Sequence, residues 1–237
     1  MNEKRIALVL GATGLVGGHC IRLLLASDEY SSVIALGRKK LHLAHSKLSQ
    51  ITGDMDHIES LLADPLLAEN NVDEVFCCLG TTIKKAKSKS AFKHVDYGYP
   101  IAVAKIMREQ GAKHFCVISA VGASPSSHFF YNKIKGELER DLATLNYPFL
   151  TILRPSLLSG DRDEFRLAES LTTAVGNLFK PIISGALLEV TPVEVKQVAE
   201  AMVGESVRIF QGSRYQNSLV ITSRQIQEYQ ILNTRLN

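Results

Sequence analysis

The sequence predicts an α/β fold, a doubly wound parallel β-sheet with helices on both faces. Short apolar runs alternate with helical segments along nearly the whole chain, and this alternation is typical of parallel sheets. The first apolar run, residues 6–10, leads directly into the glycine-rich segment 11–17, which reads Gly-Ala-Thr-Gly-Leu-Val-Gly. A length of 237 residues suits one domain over residues 1–237, with room for a small appended lobe.

The strands are predicted where runs rich in Val, Ile, Leu and Phe are bounded by turn residues. They lie at residues 5–10, 32–36, 48–52, 73–79, 114–119, 149–153 and 218–222. The helices are predicted at residues 14–27, 56–63, 89–110, 128–146 and 192–204. Asp96 and Pro100 stand where they could bend or break the third helix, and Gly111 is positioned to end it. Ligands of such sheets bind beyond the carboxyl ends of the strands, so functional residues are expected just after each strand.

The glycine-rich segment predicts a phosphate-binding turn between the first strand and the first helix. Gly11 allows a tight turn, Gly14 lets a pyrophosphate approach the backbone, and Gly17 lets the helix pack against the strand. The free N–H groups of the helix N-terminus then favour the phosphates. The spacing is G-x-x-G-x-x-G instead of G-x-G-x-x-G, and an ordinary strand-to-helix turn is the alternative. The apolar strand and helix on either side favour the phosphate site.

The turns after the second and third strands carry candidate contacts to an adenosine. Arg38 stands twenty-one residues after Gly17, where dinucleotide folds meet the ribose, and Lys39 follows it. A carboxylate there would bind the 2′-hydroxyl of NAD, whereas two cations favour a 2′-phosphate, so NADP(H) is the predicted cofactor. The alternative is a solvated basic turn. Asp54 could accept from the adenine amino group, and it could also cap the next helix, since the two roles are compatible; Met55 could pack on the ring.

Two later strand ends are expected to meet the cofactor as well. After the fourth strand, Gly80 lets the backbone pass close to a ribose, and Thr81 beside it is a further candidate contact. The basic cluster at residues 84–89 is expected to be a solvated loop, with contact to an acidic substrate or a nucleic acid as the alternative. After the sixth strand, Pro155 stiffens a loop that is expected to lie over the nicotinamide.

Ser119, Tyr131 and Lys135 form the predicted catalytic group. Ser119 ends the fifth strand, and Tyr131 follows it by twelve residues. Tyr131 and Lys135 share one helix face, and of seven tyrosines only Tyr131 has a lysine four residues on. A phenol of pKa about 10 is a weak acid–base catalyst at neutral pH, and a nearby ammonium, together with the positive nicotinamide ring, is expected to lower that pKa. Lys135 would also bind the ribose hydroxyls, and Ser119 the substrate oxygen. The alternative is a packed aromatic ring beside a solvated lysine.

With these motifs the chain resembles the short-chain dehydrogenase/reductase superfamily. Within it, the chain is similar to an atypical group, the Tat-interacting-protein-like oxidoreductases and their bacterial relatives. The likeness spans roughly residues 5–170. The matching stretches are residues 11–17, 37–39, 78–82, 119, 131–135 and 154–158.

The resemblance implies a Rossmann-type fold that binds NADPH, with a small C-terminal substrate lobe around residues 158–191. Carried over by position, the implied cofactor contacts are Thr13, Gly14, Leu15, Val16, Arg38, Lys39, Leu79, Gly80, Tyr131, Lys135, Leu158 and Arg166. The superfamily often has an Asn that holds a proton-relay water, and Asp96 is its nearest counterpart here. Arg162 and Arg166 would either bind an anionic group of the substrate or pair with nearby carboxylates on the surface.

The predicted function is NADPH-dependent reduction of a small carbonyl-type molecule. The alternatives are a regulatory protein that senses the NADP redox state through partner contacts and, ranked last, a nucleotide-sugar epimerase. A net charge of +3 is too small to indicate nucleic-acid binding, and no apolar stretch is long enough to span a bilayer. The cysteines and histidines lack the spacing of a metal site. The N-terminus lacks the architecture of a signal peptide, so a cytoplasmic protein is expected, and exposed helices could form a homodimer.

Overall fold

Seven parallel strands form the central sheet in the computed structural model of the protein, which describes residues 4–160 and 191–234. The strands of this sheet are β1 (Arg5–Leu10), β2 (Tyr30–Gly37), β3 (Leu48–Thr52), β4 (Glu74–Cys77), β5 (His114–Ile118), β6 (Phe149–Arg154) and β9 (Ser218–Thr222). Two further short strands, β7 (Leu158–Ser159) and β8 (Val193–Glu194), lie outside it. The sheet order is β3-β2-β1-β4-β5-β6-β9, and every neighbouring pair is parallel. The order changes direction between β1 and β4, which opens a crevice at their carboxyl ends. The predicted doubly wound sheet is confirmed.

The helices cover both faces of this sheet. They are α1 (Leu15–Ala26), α2 (Ile58–Leu62), α3 (Pro65–Glu69), α4 (Ile83–Ala86), α5 (Lys89–Lys93), α6 (Tyr99–Glu109), α7 (Phe130–Ala143), α8 (Val195–Phe210) and α9 (Ser223–Thr234), with a 3₁₀ turn at Met55–His57 and a π turn at His94–Gly98. The predicted helix 89–110 is therefore α5, a π turn and α6 in succession, with Asp96 inside the π turn and Pro100 in the first turn of α6. None of the helices within residues 4–160 and 191–234 combines the length and the apolar character needed to cross a membrane.

Alternating side chains of each strand feed two separate core layers. In β1, Leu8 and Leu10 face the layer that includes α6 and α7, whereas Ala7 and Val9 face the layer that includes α1 and α8. All four are fully buried, as expected for a parallel sheet with both faces covered. The proposed substrate lobe falls largely on residues 161–190, outside the described residues. At its two ends, β7 and β8 pair as a separate parallel ladder.

A buried polar network lies at the amino-terminal ends of the strands, on the side of the sheet opposite the crevice. Glu74 begins β4 and His114 begins β5, and both side chains are fully buried. Nδ1 of His114 lies 3.2 Å from Glu74 Oε2, and Nε2 lies 2.9 Å from Oγ1 of Thr151. Arg5 approaches Glu74 at 3.4 Å, and Arg214 donates to Thr151. A neutral imidazole satisfies both of its contacts, donating to Glu74 and accepting from Thr151.

We expect this network to make the stability of the protein sensitive to acid. Burial lowers the pKa of His114 below its usual 6.5, against the opposing effect of Glu74. Around and below pH 6.5 the folded state therefore binds fewer protons than the unfolded state. The contribution of His114 to the free energy of unfolding is fully present above pH 6.5 and is lost as the pH falls below that value. Chemical denaturation across this range should give a falling free energy of unfolding. His114→Gln should flatten the dependence, while the exposed His42→Gln should leave it unchanged; an equal slope in both variants would contradict the assignment.

Candidate active site

A cavity of about 540 Å³ lies at the carboxyl ends of β1, β2 and β4, at the crevice that the strand order creates. Its walls come from the turn at residues 11–14, the end of β2 and the turn beyond it at residues 35–41, the segment 78–81 after β4, and part of the region 85–99. Nine of the predicted cofactor residues line it: Gly11, Thr13, Gly14, Arg38, Lys39, Met55, Leu79, Gly80 and Thr81. The structure thus brings together the adenosine and phosphate candidates that follow four separate strands, β1, β2, β3 and β4.

The glycine-rich turn forms one wall because two of its glycines allow close backbone contacts. Gly11 has a φ of +75°, and a Cβ there would lie 2.7 Å from the carbonyl oxygen of Cys78. A Cβ on Gly17 would lie 2.2 Å from the carbonyl oxygen of Gly11. Gly14 precedes α1, and no side chain among the described residues caps that helix. The first N–H groups of α1 are therefore available to a phosphate, and this turn fits a dinucleotide.

Two neighbouring glycines of α1 allow a matched test of this packing. We expect Gly17→Ala to destabilise the protein by about 1–3 kcal/mol, because the new methyl group collides with backbone atoms that cannot move independently. Gly18→Ala places its methyl group 3.7 Å from the nearest atom, an ordinary contact, and should stabilise α1 by about 0.5–1 kcal/mol. Thermal unfolding of both variants measures the difference. Similar melting temperatures would contradict the close contact at Gly17.

The cavity wall carries positive charge and no carboxylate among the described residues. Arg38 and Lys39 line it from the turn after β2, and Lys85 lines it from α4. Sequence reasoning placed Lys85 in a solvated loop and did not single out Gln50. Gln50 accepts from the backbone N–H of Leu41 at 2.7 Å, which holds the loop after the two cations. This charge distribution suits a ligand with several phosphates.

Several predicted cofactor residues do not line the cavity. Asp54 caps the 3₁₀ turn, with its carboxylate accepting from the N–H of Asp56 at 3.0 Å, which matches the capping alternative. Val16 is buried, and Leu15 packs against the same core layer. Pro155 accepts from the N–H of Val121 through its carbonyl oxygen. Gly17 lies in the contact between α1 and the glycine-rich turn, Tyr131 and Lys135 lie on α7, and Leu158 lies in β7. Arg166 is outside the described residues.

Lys135 stands next to the cavity wall, held by a buried acid. Its Nζ atom lies 2.9 Å from Oδ1 of Asp96 and donates to the carbonyl oxygen of Ile118 at 3.3 Å. The second carboxylate oxygen of Asp96 accepts from the N–H of Thr81 at 2.9 Å, and Thr81 lines the cavity. Tyr131, one turn before Lys135, is half-buried and packs its ring 5.7 Å from that of Phe92. These contacts connect the Tyr–Lys pair to the cavity.

Helix α7 carries this pair at a fixed position because it lies directly on the loop after β5. A Cβ on Gly136 would lie 2.1 Å from the carbonyl carbon of Ser124, so no larger residue fits at this crossing. Asn132 donates from Nδ2 to the carbonyl oxygen of Val121 at 3.0 Å and accepts from the N–H of Ser124 through its own carbonyl. Gly136, directly after Lys135, therefore allows the close packing that fixes the position of the Tyr–Lys pair.

Ser119 is at the end of β5 as predicted, but its hydroxyl has a partner inside the protein. It donates to Oε1 of Glu139, and Glu139 also receives two hydrogen bonds from the guanidinium of Arg154. Glu139 is buried, one turn beyond Lys135 on the same face of α7. Sequence reasoning missed Glu139 and the role of Arg154, although the spacing of 131, 135 and 139 was available as a signal.

The environment of Tyr131 differs from the expected one. Burial raises the pKa of the phenol; the Lys135 ammonium lowers it, and the Asp96 carboxylate raises it. Lys135 lowers the pKa as expected, but burial outweighs it, so the net direction is upward. The main cause is the burial of the phenol, and the Asp96 carboxylate beside Lys135 adds a smaller effect in the same direction.

The chain is similar in sequence to a known protein family and to individual known proteins. The family model described as NAD(P)H-binding matches residues 11–180. "Protein FMP52, mitochondrial" of Lodderomyces elongisporus is 30% identical over 227 residues, which are 93% of this chain and 94% of that protein. "Protein HTATIP2" of Rattus norvegicus is 33% identical over 169 residues, which are 71% of this chain and 69% of that protein.

The fold also matches a solved structure, a short chain dehydrogenase family protein from Francisella tularensis. The TM-score is 0.64 at 16% identity, and the match covers 97% of this chain and 100% of that one. One expectation is overturned by the relatives: the prediction of a cytoplasmic protein is wrong, since the fungal relatives are named as mitochondrial proteins. A signal-peptide pattern reports only on secretion, so the N-terminal residues do not decide between the cytoplasm and the mitochondrion.

Proposed function

The chain belongs to the NAD(P)H-binding family, in an atypical branch similar to the short-chain dehydrogenases, and from this premise we propose that it is an NADPH-dependent reductase of small carbonyl-type molecules. The observation that carries the proposal is one continuous connection. The cavity wall at Thr81 is joined through Asp96 to Lys135, and Lys135 is on the same helix face as Tyr131. A nucleotide bound along the cavity would thus extend toward a residue able to transfer a proton.

The charge of the cavity supports NADPH over NADH. Arg38 and Lys39 are exposed at the end where the fold holds the adenosine ribose, and both can donate to a 2′-phosphate. The lining contains no carboxylate, within the described residues, that would bind a free 2′-hydroxyl. Binding of a ribose that carries only hydroxyls would leave the two cations without a partner.

The chain's own residues would divide the work of reduction among them. When bound, the nicotinamide supplies a hydride to an electrophilic carbon. The hydroxyl of Tyr131 donates its proton to the substrate oxygen that gains charge, which leaves a phenolate that solvent reprotonates. Lys135 stabilises that phenolate with its ammonium group, and it has a third N–H beyond the two contacts to Asp96 and Ile118 that could reach the cofactor ribose.

A direct assay tests this function. The purified protein is mixed with NADPH and a panel of aldehydes, ketones and quinones, and oxidation of NADPH is followed by its absorbance. We expect turnover with at least one class and a clear preference for NADPH over NADH. NADPH that binds tightly but is never oxidised by any class would contradict a reductase and leave only a nucleotide-binding protein.

A further inference from the structure

Lys85 is a cation of the cavity wall that the proposed contacts to the cofactor leave without a role. Arg38 and Lys39 stand after β2, where the 2′-phosphate is expected, and the pyrophosphate is expected at the start of α1. Lys85 lines the same cavity from α4, which follows β4. Because β2 and β4 flank β1 on opposite sides and neighbouring strands are about 4.8 Å apart, the ends of β2 and β4 are about 10 Å apart. Lys85 is therefore displaced from the other two cations toward β5 and the catalytic helix that follows it.

The ammonium group of Lys85 has no partner among the described residues, whereas two neighbouring lysines do have one. Lys93 pairs with Glu137 at 3.0 Å, and Nζ of Lys89 lies 5.3 Å from the centre of the Phe130 ring. The side chain of Lys85 is exposed and makes no hydrogen bond or ion pair within residues 4–160 and 191–234. Within the same ranges, no carboxylate lines the cavity that it faces. An unpaired ammonium in such a cavity favours an anionic ligand.

Local hydrogen bonds hold the backbone of Lys85 at a defined place on the wall. Its N–H donates to the side-chain oxygen of Thr82 at 3.2 Å, and this threonine caps α4. Thr81, one residue earlier, donates its N–H to Asp96, and the other carboxylate oxygen of Asp96 lies 2.9 Å from Nζ of Lys135. The start of α4 is therefore fixed relative to the catalytic helix.

The chain beyond α4 runs from the cavity wall to Tyr131. Ala91 of α5 lines the cavity, and Phe92 beside it packs its ring 5.7 Å from that of Tyr131. Ser88 caps α5 by accepting from the N–H of Ala91 at 3.0 Å, so α5 begins directly after α4. A molecule that reaches from Lys85 toward Tyr131 would lie along this segment.

We propose that Lys85 binds an anionic group of the substrate, a carboxylate or a phosphate, so that the carbonyl compounds reduced at this site are anionic; the inference rests on the proposed function. The ammonium group supplies one positive charge and three N–H donors, which suit either kind of group. The same molecule presents its carbonyl oxygen to the hydroxyl of Tyr131. Lys85 orients the substrate in this arrangement and takes no part in proton transfer.

The test is a binding measurement on the complex with NADP⁺, which has no hydride to transfer and so leaves the added compound unreduced. The probes are matched anionic and neutral pairs: para-formylbenzoate and succinic semialdehyde, each with its methyl ester, and glyceraldehyde phosphate with glyceraldehyde. The first two pairs test for a carboxylate and the third for a phosphate. We expect isothermal titration to show about 3–10-fold tighter binding of the anionic member in at least one pair, a modest ratio because Lys85 is exposed. Equal affinities, or no binding, in all three pairs would overturn the proposal.

Lys85→Met and Lys84→Met are the matched variants, since methionine keeps most of the aliphatic length and removes the charge. Lys84 is exposed and adjacent on α4, yet it does not line the cavity. Lys85→Met should lose the preference for the anionic members and keep the wild-type Kd for NADP⁺, whereas Lys84→Met should keep both. A preference that persists in Lys85→Met would overturn the proposal. A weaker affinity of that variant for NADP⁺ would overturn it as well, because the lysine would then bind a phosphate of the cofactor.

The result is separable from that of the proposed function because the titration measures no turnover. A protein that binds anionic probes through Lys85 but oxidises no NADPH would disprove the reductase and leave the anion site intact. Reduction of anionic and neutral compounds with equal efficiency would support the reductase and overturn the role of Lys85.

Discussion

Tyr131→Phe should abolish nearly all NADPH-dependent reduction while NADPH still binds with its normal affinity. The substitution removes one oxygen atom and leaves the ring against Phe92, so the packing of α7 is kept. Without the hydroxyl, nothing at this position gives a proton to the developing oxyanion, and proton transfer by a positioned side chain contributes about 10²–10⁴-fold to rate. Steady-state kinetics should show this loss in kcat, and isothermal titration should show an unchanged Kd for NADPH.

Tyr215→Phe is the control for this experiment. Tyr215 is 88% exposed and precedes β9, remote from the cavity in the fold. The control should keep wild-type kcat. If Tyr131→Phe retains full activity, another group donates the proton, and the assignment of the catalytic helix fails even though the nucleotide site could stand.

Replacing Arg38 and Lys39 together by Ala should remove the preference for NADPH. Both side chains are exposed, so each charge-assisted hydrogen bond to a 2′-phosphate is partly screened by solvent. We expect the affinity for NADPH to fall by about 10–100-fold and that for NADH to change little. Thermal shift at matched concentrations measures this, because a ligand that binds only the folded state raises its stability by mass action.

Lys40 supplies the matched control for the two cations. It is exposed and adjacent in sequence, yet it does not line the cavity. Lys40→Ala should leave both affinities as in the wild type. If NADPH and NADH stabilise the unaltered protein equally, the role given to Arg38 and Lys39 is wrong.

Most of the fold could be read from local sequence patterns. Apolar runs gave the seven strands of the main sheet to within one or two residues at their ends, and the strand-to-helix alternation gave the parallel arrangement. The short helices α3 and α4 were missed because four or five residues carry too little periodicity to be recognised. Helix α9 was missed as well. Its polar sequence lacks a clear apolar stripe, so packing after β9 and not local pattern makes it a helix.

The residues of the candidate site that directly follow a strand could be predicted from the sequence. Contacts between side chains that are distant in the chain could not. Gly11, Arg38 and Thr81 each follow a strand, so their shared edge could be inferred. The Asp96–Lys135 pair joins residues from two different helical segments. The pKa of Tyr131 is raised chiefly because the assembled fold buries the phenol. No spacing rule connects positions so far apart in the chain.

The same limit applies to the hydroxyl at the end of β5. Chain position indicated that Ser119 would face a substrate, and the fold instead gives it Glu139 as a partner. That partner is itself held by Arg154 from β6, so three elements decide where one hydroxyl points. Only the assembled structure contains this information.

A structure of the protein with bound NADP⁺ tests the central claim most directly. We expect the 2′-phosphate against Arg38 and Lys39, the pyrophosphate at the start of α1, and the nicotinamide ring beside the hydroxyl of Tyr131. A nicotinamide ring that lies away from Tyr131, or a nucleotide bound outside the cavity, would contradict it.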